Sequence, residues 1–390
     1  MSRASHLVVT LLLVVLPVAY LAFLYLVPLG SVAVLSVDNS AIHDSLPATA
    51  AAMDEAGPAS DAAAAALAQD LKAADRRSLG ELARLLNLDA PGLRSLLIKT
   101  SRALDDIEVT GLADLRAIDP KWDEPVFWQA LAENAAPLTL RHYATAIGLD
   151  RDPAGGWQFD PNGAVYLHIL LRTFWISLQV AVIACLVAYP LAYAIANGQP
   201  WLRAALLGAV LLSFWMSILV RSTAWVVLLQ REGLINEALM ALGLVREPVQ
   251  LIFNRLGTLL AMVHVLLPFA VLPLLNNMRQ IPAQQRDAAR SLGAGPVETF
   301  LRVYLPQTTR GILVGAGTVF ILSLGFYITP ALVGSPGDQL LSYYIADFML
   351  KQLNWGMAST LSVVLLASVL LGLAVAGLAR LAWGGRGKPA

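Results

Sequence analysis

The chain has 390 residues, 57% hydrophobic and 14% charged, with no net charge and a mean hydropathy of +0.64. Soluble domains carry roughly 25% charged residues, so the composition excludes a wholly water-soluble protein and points to a membrane protein. Cys185 is the only cysteine, which excludes a disulfide within the chain and a thiolate metal site.

Residues 7–36 are uncharged and exceed the roughly twenty residues a helix needs to span the hydrocarbon core. Arg3 ahead of them resembles the start of a signal peptide. The run is too long for one, however, and Pro17 and Pro28 interrupt it without a clear cleavage site. An uncleaved membrane helix with its N-terminus inside is the expectation, a signal peptide the alternative.

Residues 38–166 break this composition. They hold 20 of the 27 acidic and 11 of the 27 basic residues, leaving the segment nine units negative. Leu79, Leu82, Leu85 and Leu86 predict one amphipathic helical face. Trp122, Phe127, Trp128 and Leu131 predict a short helix beginning after Pro125, and residues 153–157 (PAGGW) punctuate the segment. Residues 48–66 are so poor in large apolar side chains that partial mobility is expected there. The segment reads as a mostly helical extracytoplasmic insertion. It either touches a solute-binding protein, draws cations towards a vestibule, or is a solvated domain whose acidity only keeps it soluble.

Five further apolar runs follow. Thr173–Pro200 is predicted as the second membrane helix, with Phe174 and Trp175 near an interface. Ala204 to about Leu229 is the third and contains Arg221, which marks either a path lining or the outer end of the helix. Leu256–Met278 is the fourth. Its Pro268 and Pro273 free carbonyls that neighbours or water must satisfy, and its His264 is either a proton relay or a packed, hydrogen-bonded residue. Gly311–Gly337 is the fifth and Met357–Ala379 the sixth. None of these spans contains Asp or Glu. Outside the insertion, the segments expected inside carry ten basic residues and those expected outside carry six, which favours both termini in the cytoplasm.

Between the fourth and fifth spans lies Asp287–Pro306 (DAARSLGAGPVETFLRVYLP). Asp287 to Arg290 predict a short helix that Gly293-Ala294-Gly295 breaks, because glycine takes positive φ without steric cost. Pro296 suits the first turn of a second helix, on which Val297, Phe300, Leu301 and Tyr304 would form one apolar stripe. Leu305-Pro306 would close the stretch before the chain re-enters the membrane.

Asp287-Ala288-Ala289, Gly293, Val303 and Leu305-Pro306 resemble, at the same spacing, the cytoplasmic signature of permease subunits of binding-protein-dependent ABC importers. That signature has Glu in place of Asp287 and Ile in place of Val303. The resemblance covers about 172–379. Residues 214–225 (FWMSILVRSTAW), 324–334 (LGFYITPALVG) and 354–358 (NWGMA) resemble the spermidine/putrescine-type members. It implies an all-α integral membrane protein with six transmembrane helices, a five-helix core plus one N-terminal helix. The implied divisions are 1–37 (first helix), 38–166 (insertion), 167–382 (core, with a coupling loop at 279–311) and 383–390 (cytoplasmic tail). It also implies that Asp287, Ala288, Ala289, Gly293, Val303, Leu305 and Pro306 form the ATPase-coupling loop of a bacterial inner-membrane permease. The aromatic-rich matching stretches make Trp215, Arg221, Trp225 and Tyr327 candidates for the translocation path.

No G-x-x-x-x-G-K-[ST], H-E-x-x-H, G-x-S-x-G or Cys/His cluster is present. The chain is therefore expected to be no enzyme and to bind no cofactor or metal, with ATP and Mg held by a partner ATPase. Expected partners are cytoplasmic ABC ATPase subunits, a second permease (identical or homologous), an extracytoplasmic solute-binding protein and the lipid bilayer, but no nucleic acid. The function expected is alternating-access import of a small solute, a polyamine by resemblance. A stand-alone secondary transporter or channel is the alternative.

Overall fold

The computed structural model describes residues 3–151, 157–161 and 163–384. Pro153 to Gly156, expected to punctuate the insertion, and the basic residues Arg386 and Lys388 lie outside the described residues. The chain divides into two compact units, 1–163 with 348–390, and 164–347.

The first unit opens with α1 (Arg3–Leu35), one continuous helix despite Pro17 and Pro28. Its insertion is a helical domain with its own core, built from Leu67, Leu71, Leu82, Leu86, Leu93, Leu97, Leu115, Trp122, Phe127, Trp128 and Leu131. The expected Leu face is present, with Leu82 and Leu86 buried and Leu79 and Leu85 packed on the core edge. Trp122 and Trp128 anchor the domain with ring centres 5.2 Å apart. Each indole finds an acceptor: Trp122 Nε1 donates to Thr100 Oγ1 at 3.0 Å, and Trp128 Nε1 to the Trp122 carbonyl at 2.9 Å, as buried indoles require.

The stretch expected to be partly mobile instead forms helices Pro47–Ala56 and Asp61–Ala73. Its alanines are small enough for the helices to approach closely, and Ala63 and Ala64 are fully buried. Asp70 caps the first of these helices, accepting from Thr49 N at 2.7 Å and Thr49 Oγ1 at 2.6 Å. One short antiparallel hairpin, Leu149–Arg151 against Trp157–Phe159, is the only sheet among the described residues.

The insertion is bolted to both apolar helices of its unit. Asn39 donates from Nδ2 to the carbonyls of Asn134 (2.9 Å) and Ala136 (3.1 Å). Ser36 Oγ meets the Tyr143 hydroxyl at 2.7 Å. On the terminal helix (Trp355–Gly384), Thr360 Oγ1 donates to the Ser36 carbonyl at 3.0 Å. A Cβ at Gly356 would lie 2.7 Å from His142 Nε2, so any other residue would require the imidazole to shift. Burial, reinforced by the neighbouring Arg141 charge, pulls the His142 pKa down to about 4. Arg141 itself pairs with Asp89, and burial lowers its pKa to about 10.

The second unit is built on α2 (Val165–Asn197), α5 (Arg255–Arg279) and α7 (Leu305–Leu324), which pack against one another. Small residues make this possible. Ala181, Ala184, Ala188 and Ala192 line the buried side of α2. On α7, a Cβ at Gly311 would lie 2.8 Å from Asn277 Cβ, and one at Gly315 would lie 3.1 Å from the Ala270 carbonyl oxygen of α5.

Among the described residues, length and composition give four helices able to cross a membrane: Leu13–Leu35, Val165–Asn197, Arg255–Arg279 and Trp355–Leu378. The expected third span is not one straight helix. It is α3 (Pro200–Trp215) and α4 (Ile218–Leu228), bent by 104° at Met216-Ser217, and counts as a fifth crossing only if the pair is one broken span. The expected fifth span is α7, which ends at Leu324, followed by a separate short helix α8 (Ile328–Val333). With Gln307 and Arg310 in its first turns, α7 is not among the four, so the six spans reduce to four or five by this measure.

Candidate functional site: a helical hairpin and its seat on the membrane helices

Asp287, Ala288 and Ala289 lie on α6 (Ala283–Ser291), which buries none of its residues. The helix ends in a Schellman turn: Ala294 N–H bonds to the Ala289 carbonyl at 3.1 Å, and Gly293 N–H to the Arg290 carbonyl at 2.9 Å. That turn needs a left-handed residue, and Gly293 supplies it at φ +89°. The side chain just before the turn, Leu292, is 89% exposed.

The return arm begins at Pro296–Glu298 and passes through a π-helical stretch, Thr299–Tyr304, directly into α7. Leu305-Pro306 therefore does not close the hairpin, as expected from the sequence; the helix runs through it. Pro306 lacks an N–H and its ring crowds the preceding turn. The wider π turn accommodates this: Leu305 N–H reaches back to the Phe300 carbonyl, and Gln307 Nε2 donates to the Val303 carbonyl at 2.7 Å.

The extra residue in that turn also splits the expected apolar stripe. Val297 and Leu301 face outward, 69% and 52% exposed. Phe300 and Tyr304 turn inward onto α2, where Tyr193 lies 5.9 Å from Phe300 and 5.4 Å from Tyr304, centre to centre, and Tyr189 6.1 Å from Phe300. Asn197, one turn beyond Tyr193, is hydrogen-bonded to both Arg286 and Tyr304. Burial raises the Tyr304 pKa, with the Asn197 hydrogen bond and the Arg286 charge opposing it. Sequence reasoning did not single out Asn197 or Arg286. The signal was available, since Tyr189, Tyr193 and Asn197 recur every four residues on one helix face.

Of the path candidates, Arg221 and Trp225 share α4 and meet α5. The Arg221 side chain is buried, and its Nη1 donates to the Val265 carbonyl at 3.4 Å while Nε has no partner. Trp225 Nε1 donates to His264 Nδ1 at 3.1 Å, so His264 is a packed, hydrogen-bonded residue. Tyr327 caps α8, which is tied to α4 through Ser222 Oγ and Thr329 Oγ1 at 2.9 Å. Trp215 stands apart at the α3–α4 break, 86% exposed. Among the described residues no group of three or more His, Cys, Asp or Glu is placed to hold a metal ion. The arrangement is an exposed hairpin joined to the ends of two packed helices, α2 and α7.

Residues 174–382 match the family described as binding-protein-dependent transport system inner membrane component. The chain is 30% identical over 210 residues to the spermidine/putrescine transport system permease protein PotB of Escherichia coli K12, covering 54% of this chain and 75% of that protein. It is 28% identical over 229 residues to the protein of the same description from Haemophilus influenzae, covering 59% and 75%. Among solved structures it is similar to a chain in the crystal structure of a bacterial ABC transporter involved in import of the acidic polysaccharide alginate. There the identity is 18% and the TM-score 0.43, over 61% of this chain and 82% of that one.

Proposed function

This chain belongs to the binding-protein-dependent transport system inner membrane component family, and from that premise we propose that it forms half of the path of an ATP-driven polyamine importer. As a member it is a multi-pass inner-membrane permease subunit, moving a solute that a binding protein delivers. The remaining parts of the proposal are these. The hairpin 287–306 sits in the cytoplasm against an ABC ATPase that holds ATP and Mg. A second permease, identical or homologous, completes the path. Both termini are cytoplasmic, and the acidic insertion faces the side from which the solute arrives.

The observation that carries the coupling role is α6, a helix with no buried residue, fixed by a Schellman turn and followed by the exposed Leu292 and Val297. Such an unpartnered surface on a rigid support suits docking. Polyamine as cargo rests on the spermidine/putrescine relatives. The described apolar helices carry no carboxylate, so the cation would pass along aromatic faces such as Trp225 and Tyr327 and along carbonyls. The insertion's negative charge would concentrate cations ahead of it.

The test is to express the chain with the products of its neighbouring genes, then measure ATPase capture and spermidine uptake. Gly293→Val forces a β-branched residue into the left-handed region, at a cost of about 1–2 kcal/mol, and should abolish uptake while the chain still inserts. Failure of the unaltered chain to capture an ATPase would sink the coupling role. Capture without spermidine uptake would sink the cargo.

A further inference from the structure

Both arms of the hairpin converge on one side chain outside it. Asn197 is the last residue of α2. Its Oδ1 accepts from Arg286 Nη1 of α6 at 2.7 Å. Its Nδ2 donates to the Tyr304 hydroxyl of the return arm at 3.3 Å and to the Tyr193 carbonyl at 3.1 Å. The Arg286 guanidinium carbon lies 5.3 Å from the centre of the Tyr304 ring, which closes a triangle of Arg286, Tyr304 and Asn197.

We propose that Asn197 is the positioning residue that carries movement of the hairpin into α2, an inference resting on the ATPase-docking role of that hairpin. A short planar amide offers an acceptor and donors on one fork; aspartate would lack the donor and alanine both. The bond from the guanidinium is charge-assisted and so among the stronger ones. A tilt of α6 must then either carry the end of α2 with it or break this bond. At the end of α2 the chain turns tightly: a Cβ at Gly198 would lie 2.4 Å from the Ala194 carbonyl oxygen. From Asn197 the alanine face of α2 leads directly to α5 and α7. Movement received at this residue therefore reaches the packed centre of the membrane unit.

A residue that only shaped the docking surface would change ATPase capture. A residue that transmits movement changes the work obtained from an ATPase already seated. The experiment uses the full transporter reconstituted in liposomes, with spermidine as the probe. It reads ATPase capture, spermidine taken up per ATP hydrolysed, and stimulation of hydrolysis by the loaded binding protein. Asn197→Ala should keep capture and lower both uptake per ATP and stimulation about tenfold, the effect of one lost hydrogen bond to a charged group. Asn197→Asp keeps the acceptor for Arg286 and should recover most of that loss. Unchanged coupling in Asn197→Ala would overturn the proposal, and so would loss of capture in both variants. If the unaltered chain captures no ATPase, it is the docking role that fails.

Discussion

The insertion and the membrane unit are both helical, yet they are held together by different residues. The insertion buries Trp122, Trp128, Phe127 and a set of leucines; α2, α5 and α7 also bury large side chains such as Ile176, Leu266 and Leu274, but add Ala181, Ala184, Ala188 and Ala192 on the buried side of α2 and, at Gly311 and Gly315, contacts too close to leave room for a Cβ. The cause is the solvent. In water, burying a large apolar side chain contributes about 1.5–3 kcal/mol. In lipid that gain vanishes, and close backbone approach and interhelical hydrogen bonds remain. Truncating a buried ring should therefore harm the insertion most, and enlarging a glycine at a helix contact should harm the membrane unit most.

The largest expected effect lies in the insertion. Trp122→Ala removes a fully buried ring and should cost about 3–5 kcal/mol, read as faster hydrogen exchange in the insertion with the membrane unit unchanged. An equal rise in both would break the contrast.

The second test is acidification, which acts where water reaches. His142 is held neutral by burial, with a pKa of about 4 against an ordinary value near 6.5. The folded form thus binds its proton less readily than the unfolded one. Stability from this group is complete above pH 6.5 and is lost as pH falls from there towards 4, by roughly 3 kcal/mol in all. Thermal unfolding of the insertion across this window should show the loss, and His142→Gln should flatten it.

The smallest expected effect sharpens the comparison within the membrane unit. Gly315→Leu forces a side chain against the Ala270 carbonyl and should cost about 1–3 kcal/mol. Leu212→Ala, at a position 69% exposed on α3, should stay within about 0.5 kcal/mol. A reversed order in thermal inactivation of the detergent-solubilised chain would mean that close approach at Gly315 does not hold the membrane unit together.

Much of this architecture is legible in the sequence. The apolar runs, the Leu face at 79–86, the helix after Pro125 and the Gly293 turn all follow from periodicity and φ preference. What escapes has definable causes. The bend at Met216-Ser217 has no proline or glycine between 209 and 229 to announce it; both residues adopt extended backbone, to which hydropathy is blind. The stripe through Val297, Phe300, Leu301 and Tyr304 assumes 3.6 residues per turn throughout. One π turn rotates the face, so half the stripe points away. Residues 48–66 read as partly mobile because alanine contributes little area, although in a helix its small size is what permits close packing. The bonds from Asn197 to Arg286 and Tyr304 span 89 and 107 residues, a separation no local pattern reports.

The proline at 306 has a consequence for how this subunit could flex. Because the π turn absorbs it, the helix from Pro296 to Leu324 is a single rod, about 40 Å long at 1.5 Å per residue. A rod of that kind delivers at one end whatever displacement it receives at the other. Give in the second unit is then left to the breaks between its helices, Met216-Ser217 and Gly325 to Tyr327 among them.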